Sequence, residues 1–439
     1  MSSSQIRRAS WLQSFWSPAK KWLASYGFIF NDFLGTKGNQ WELKESLQEP
    51  GELRTESIPN IEEVEKIIGY NFNDKSLLCQ AFTHISYHPN CVSYERLEYL
   101  GDSVINLMIT KQQISMYPDL PPGLLSPLRA ANVDTEKLAR VAMSSSQIRR
   151  ASWLQSFWSP AKKWLASYGF IFNDFLGTKG NQWELKESLQ EPGELRTESI
   201  PNIEEVEKII GYNFNDKSLL CQAFTHISYH PNCVSYERLE YLGDSVINLM
   251  ITKQQISMYP DLPPGLLSPL RAANVDTEKL ARVAVKHKFH KYLRYKQPKI
   301  KKRINIFIDA LPNYPLHSHG LIAAPKVLAD VVESTVGAVF IDSNASLDKT
   351  WEVTKTLLEP IITPEMLEAN PVRKLFEICQ KHKLKVQLID LWAQNRTCEV
   401  LVDNQYRGRG KCLQKKEVAL NRAASEVYNE VVNVLGIKS

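Results

Sequence analysis

The 439-residue chain has no run approaching the roughly 20 consecutive apolar residues of a membrane-spanning helix, so a membrane partner is not expected. It also lacks the low hydrophobicity of a disordered chain: 43% of residues are hydrophobic and 23% charged. Its seven cysteines form no CxxC pair and show no zinc spacing. That pattern points to a reducing compartment, with the cysteines as core or surface thiols. Acid is missing from residues 1–31, which hold four basic residues and seven serines. Such an opening fits an organelle transit peptide or an exposed amphipathic arm. The expected location is intracellular, nucleus or cytoplasm, with plastid or mitochondrion as the alternative.

Independent sequence is also scarcer than the length implies. Residues 143–284 repeat residues 1–142 without a difference, so only 297 positions are distinct and the seven cysteines reduce to five. Solenoid repeats are short and divergent, unlike this one. The repeat reads as a tandem duplication or gene-assembly error, or else as a working two-copy protein whose copies pair. Each copy carries 14 basic and 16 acidic residues. The last 155 residues therefore hold 25 of the 53 basic and 16 of the 48 acidic residues, a net of +9. That asymmetry points to a polyanionic partner for the C-terminal part. The sequence divides into a truncated duplicate (1–142), a tail or linker (143–199), a first domain (200–363) and a second (369–436).

Between 203 and 363 the apolar spacing is helical, predicting helices at 203–211, 214–225, 235–258, 266–284, 285–295, 325–342 and 346–361. Two of them carry acids amid apolar residues. Glu240 and Asp244 are four apart on one helical face, and Asp330 and Glu333 three apart on another. Spacing alone leaves two readings open. Either the helices pack and four carboxylates converge on a hard cation such as Mg²⁺ or Mn²⁺, or these are separate surface pairs bridged to Lys326 or Arg238.

The stretch ERLEYLGDSV, residues 237–246, resembles the ribonuclease III signature ERLEFLGDAV, with conservative changes at Tyr241 and Ser245. APKVLADVVESTVGAVFID, residues 324–342, is similar to the second motif of ribonuclease III and Dicer. LLSPLRAANVDTEKLARVA, residues 266–284, resembles the helical segment between them. The single domain pair looks most like the plant ribonuclease-three-like proteins. The resemblance implies an all-α ribonuclease III endonuclease domain that pairs as a homodimer, with Glu240, Asp244, Asp330 and Glu333 as metal-binding and catalytic residues. It implies Mg²⁺-dependent cleavage of double-stranded RNA, leaving 5′-phosphate and 3′-hydroxyl ends and a two-nucleotide 3′ overhang. Glu237 matches a family acid expected near the dimer interface. The alternative is a non-catalytic RNA-binding or scaffold protein on the same fold.

In the first copy Glu98 and Asp102 repeat the first half-site, but no Asp-x-x-Glu follows before residue 200. No complete active site is expected there, and helix 93–116 should expose apolar surface, making the copy inert or an aggregation liability.

Residues 286–303 hold nine Lys/Arg and no acid, among them Lys299, Lys301, Lys302 and Arg303, which read as a phosphate-binding ridge or a solvated face. After Pro364 the pattern is helix 371–382, strands 384–392, 396–402 and 405–412, and helix 415–434. This order resembles a small α+β (α-β-β-β-α) double-stranded-RNA-binding domain, a reader of A-form shape. Glu377 matches a minor-groove position; Arg407, Arg409, Lys411, Lys415 and Lys416 are the basic candidates. The resemblance is imperfect. Aligned on Ala423-Ala424, the KKxAK cluster of that family keeps one lysine in three, and the first strand loop lacks its usual histidine, so RNA affinity is expected to be reduced or replaced by a protein contact.

Overall fold

The computed structural model describes residues 61–68, 70–88, 91–138, 200, 202–230 and 233–436. The acid-free arm, its internal repeat and the whole of the linker lie outside the described residues.

The first copy forms α1 (Ile61–Ile68), α2 (Lys75–Ala81), α3 (Glu95–Met116) and α4 (Pro122–Val133). The second repeats them as α5 (Ile203–Ile210), α6 (Lys217–Ala223), α7 (Glu237–Met258) and α8 (Pro264–Val275). Identical sequence gives identical caps: Asp74 accepts from Ser76 N at 2.9 Å and Asp216 from Ser218 N at 3.0 Å.

The expected helix 266–284 is two helices. Asp276 is extended (φ −69°, ψ 164°), and its side chain accepts from Lys279 N at 2.7 Å. A new N-cap therefore interrupts the run, and α9 (Thr277–Lys286) begins in a new direction. The expected helix 285–295 is replaced by the end of α9 and a 3₁₀ turn, Phe289–Lys291. The sequence reading missed α10 (Pro298–Ala310), which starts with proline at its first position and buries Ile300, Ile304 and Phe307.

The centre of the domain is α11 (Lys326–Asp342), apolar nearly all round and buried along most of its length, flanked by α12 (Leu347–Leu358). α11 crosses α7 at a glycine pair. A Cβ on Gly243 would lie 1.8 Å from the Glu333 carbonyl oxygen, and one on Gly337 would lie 2.3 Å from the Leu239 carbonyl oxygen. Only glycine permits this approach, and it sets the acids of the two helices side by side.

α3 also has a partner, contrary to the expectation of an uncovered helix. It packs on α7 about a pseudo-two-fold axis, burying Leu100, Val104 and Ile114 together with Leu242, Val246 and Ile256. Each contact recurs with its members exchanged and shifted by 142 residues. Arg96 donates to the carbonyls of Ile256 (3.0 Å) and Leu262 (2.6 Å), and Arg238 to those of Ile114 (2.8 Å) and Leu120 (2.7 Å). The other face of α3, which in α7 meets α11, is less covered: Gly101 has nothing within 4 Å of where its Cβ would be.

The C-terminal module is α13 (Pro371–Lys381), β1 (Val386–Leu391), β2 (Thr397–Val402), β3 (Tyr406–Lys411) and α14 (Lys416–Val434). The strands form an antiparallel sheet in the order β1-β2-β3. Its core joins Leu375, Val400, Val402, Ala423 and Val427. Gly408 and Gly410 let α14 lie against β3, where a Cβ would come within 2.3 Å of the Ala423 carbonyl oxygen and 1.9 Å of that of Ala419. The module touches the helical domain through Arg422 Nε, which donates to the Leu321 carbonyl at 2.9 Å.

Candidate active site

The crossing of α7 and α11 brings Glu240, Asp330 and Glu333 together, with a carboxylate oxygen from each lying within 4.8 Å of the others. Tyr236, one turn before Glu240, donates its hydroxyl to Asp330 Oδ2 at 3.0 Å. Lys326 Nζ lies 2.8 Å from Glu240 Oε1 and 2.6 Å from Asp330 Oδ1. The lysine foreseen as a surface partner thus bridges the two helices from the exposed edge of the cluster. Arg238 does not join it, since its guanidinium points to the first copy.

Asp244, the fourth expected carboxylate, stands beside the other three rather than among them. Its Oδ2 faces Arg129 Nη2 of the first copy at 3.2 Å, and its Oδ1 accepts from Asn248 Nδ2 at 3.0 Å. It is near enough to oppose ionisation of Glu333 and Glu240. Glu237 likewise opposes ionisation of Asp330 across the cleft.

The electrostatics are those of excess negative charge in an enclosed place. Burial, then the charges of Asp244, Glu240 and Asp330, hold the Glu333 carboxyl well above the usual range. Burial also raises Glu240 and Asp330, with Lys326 partly offsetting it. Burial alone would push Lys326 down, but the Asp330 and Glu240 carboxylates outweigh it and keep the ammonium charged. One lysine cannot balance three converging carboxylates, and among the described residues no hydrogen bond or ion pair reaches the Glu333 side chain. A divalent cation fits this donor set, which is all oxygen and anionic.

In the first copy Glu98 and Asp102 are exposed and lie against Arg271 in an open cleft of about 380 Å³. Among the described residues no acids from a second helix line that cleft.

The family model described as ribonuclease III domain matches residues 237–344, and a ribonuclease-III-like model matches residues 74–154. Ribonuclease 3-like protein 3 of Oryza sativa subsp. japonica is 48% identical over 236 residues, 53% of this chain and 79% of that protein. The chain belongs to the ribonuclease III family. Ribonuclease 3-like protein 2 of Arabidopsis thaliana is 39% identical over 245 residues, 54% of this chain and 62% of the relative's length. The solved nuclease domain of ribonuclease III from Campylobacter jejuni is 26% identical and covers 36% of this chain and 98% of its own, at a TM-score of 0.29. By the family match itself, the chain has the helical nuclease domain of this family, whose members are endoribonucleases acting on double-stranded RNA.

Of the expected RNA contacts, Lys299, Lys301, Lys302 and Arg303 are exposed on α10. Arg294, in the same basic run, is not available: it donates to Thr225 Oγ1 at 3.0 Å and the Cys221 carbonyl at 2.9 Å. In the C-terminal module Lys411 and Lys415 are exposed. The other candidates are engaged within the protein. Arg407 and Arg409 pair with Glu399, whose side chain is 5% exposed, Lys416 lies 2.5 Å from Asp390, and Glu377 lies 2.7 Å from Arg373. Arg407 and Arg409 neutralise this buried acid while their own side chains stay largely exposed. The sequence reading missed Tyr236 and Arg129. Tyr236 was within reach, being four residues before Glu240; nothing local marks Arg129.

Proposed function

We propose that this ribonuclease III is a divalent-cation-dependent endoribonuclease that cuts double-stranded RNA to 5′-phosphate and 3′-hydroxyl ends. The observation that carries the reading is the convergence of Glu240, Asp330 and Glu333 within 4.8 Å on two helices. These three would hold the cation, Mg²⁺ or Mn²⁺, with Asp244 as the adjoining fourth acid. The cation would supply an activated water and stabilise charge on the phosphodiester. The protein's own groups prepare the place: Tyr236 orients Asp330, Lys326 holds Glu240 and Asp330 toward each other, and Gly243 and Gly337 set the helix separation.

The α-β-β-β-α module is read as a double-stranded-RNA-binding domain, supported by its strand order and by exposed Lys411 and Lys415. With Arg407, Arg409 and Lys416 engaged elsewhere, its affinity for RNA is modest. The α10 lysines extend the basic surface on the helical domain.

The test is cleavage of a long RNA duplex in Mg²⁺ by the full chain and by Glu333→Gln. Cleavage by the first and a loss of about 100-fold or more in the second, equivalent to about 2.7 kcal/mol, is the expected result. Two equally inactive proteins that still bind the duplex would overturn it in favour of the scaffold reading.

A further inference from the structure

We propose that the first copy is this enzyme's built-in dimer half: it occupies the face of α7 that a second chain would need and lends Arg129 to the active site as a positioning residue for Asp244. The inference deepens the nuclease reading and rests on it. It replaces the homodimer expected from sequence with a pairing inside one chain.

The interface is isologous, as two identical sequences meeting about a two-fold axis require. The Tyr99 hydroxyl contacts the Gln255 side-chain amide at 2.7 Å and the Tyr241 hydroxyl that of Gln113 at 2.6 Å. The buried Ser103–Thr252 and Thr110–Ser245 hydroxyl pairs are both 2.8 Å apart. A second chain could reach this face of α7 only by displacing α3, which is covalently attached and so present at high effective concentration.

The pairing is symmetric in contacts but not in chemistry. Arg129 lies with its guanidinium 4.7 Å from the Tyr241 ring, Nη1 2.6 Å from Ser245 Oγ and Nη2 3.2 Å from Asp244 Oδ2. Tyr241 and Ser245 are the two positions at which ERLEYLGDSV departs from ERLEFLGDAV, and both added hydroxyls reach across to the other copy. Arg271 makes the mirror-image contacts, 4.9 Å from the Tyr99 ring, 2.7 Å from Ser103 Oγ and 3.9 Å from Asp102 Oδ2. Among the described residues only Arg129 faces a complete site. With one nuclease centre among them, each binding event cuts one strand, giving a nick rather than a two-nucleotide overhang.

The twin arginines make the experiment self-controlling, because Arg129→Ala and Arg271→Ala remove the same interface contacts. In the full chain Arg129→Ala is expected to lower kcat on strand-labelled duplex RNA by about 10- to 100-fold, with partial rescue by Arg129→Lys. Its half-saturating Mg²⁺ concentration should fall, since a positive charge beside the acids is gone; a mere folding defect would raise it. Arg271→Ala should stay within about twofold of the parent, and light scattering should give the mass of a single chain for the parent and all three variants. Sensitivity at Arg271 instead, with a doubled mass, would show that a second chain supplies the arginine and overturn the proposal. So would a rate indifferent to both substitutions. If the parent cuts no RNA, the nuclease reading fails; this inference is then judged by the mass and by Mg²⁺-dependent thermal shifts, which Arg129→Ala must alter and Arg271→Ala must not.

Discussion

Gly243 and Gly337 meet where α7 crosses α11, so closely that a Cβ on Gly243 would lie 3.0 Å from Gly337 N and 1.8 Å from the Glu333 carbonyl oxygen. Gly243→Ala must force the helices apart. We expect a loss of about 1–3 kcal/mol by thermal or urea unfolding, with cleavage abolished because Glu240 and Glu333 separate. The twin substitution Gly101→Ala meets nothing within 4 Å and should be neutral or stabilising by up to about 1 kcal/mol through helix propensity. Equal effects at the two positions would show that the crossing is not what sets the site.

The Glu333 carboxyl is raised well above its ordinary value of 4.5 by burial and by its acidic neighbours. A carboxyl whose folded pKa exceeds its unfolded one is favoured in the fold when protonated. Stability is therefore lost as pH rises from about 4.5 through the raised value. In EDTA, Glu333→Gln should gain on the parent in Tm across that window. Saturating Mg²⁺ should reverse the order near neutral pH, since the cation stabilises only the protein that can ligate it. A constant Tm difference across pH would contradict this account of the cluster.

Lys415 and Arg407 should respond differently to alanine although both are exposed and basic. Lys415→Ala should weaken duplex binding about equally for all RNA sequences and lower the slope of log K against log salt by about 1. Arg407→Ala leaves Glu399, 4% exposed, with Arg409 as its remaining partner. Its main effect should be a stability loss of about 1 kcal/mol, given how exposed the arginine is. Filter binding at several salt concentrations, with Tm in parallel, separates the two.

Most helices and all three strands were legible because period is local: α11 is apolar nearly all round and the C-terminal strands are separated by short breaks. Helix breaks were harder to read. Asp276 interrupts an unbroken apolar pattern by capping α9, and Pro298 starts α10 in a run that reads only as basic. The acids Glu240, Asp330 and Glu333 could be named from spacing and from the ribonuclease III resemblance. Spacing alone left their convergence open, and the resemblance implied it; the close crossing that produces it depends on two glycines 94 residues apart in sequence.

By itself the sequence determined the family, the acidic residues, the helical and α-β-β-β-α modules, and the incompleteness of the first half-site. All of these follow from which residues are present and how they are spaced. Only the tertiary structure decided what the identical copies do to each other. Arg129 and Arg271 sit in the same local sequence, yet one faces Asp244 beside three further acids from two crossing helices and the other faces the open cleft of Asp102 and Glu98. The difference arises because α11 exists once, and a helix can complete a site only where its backbone can reach.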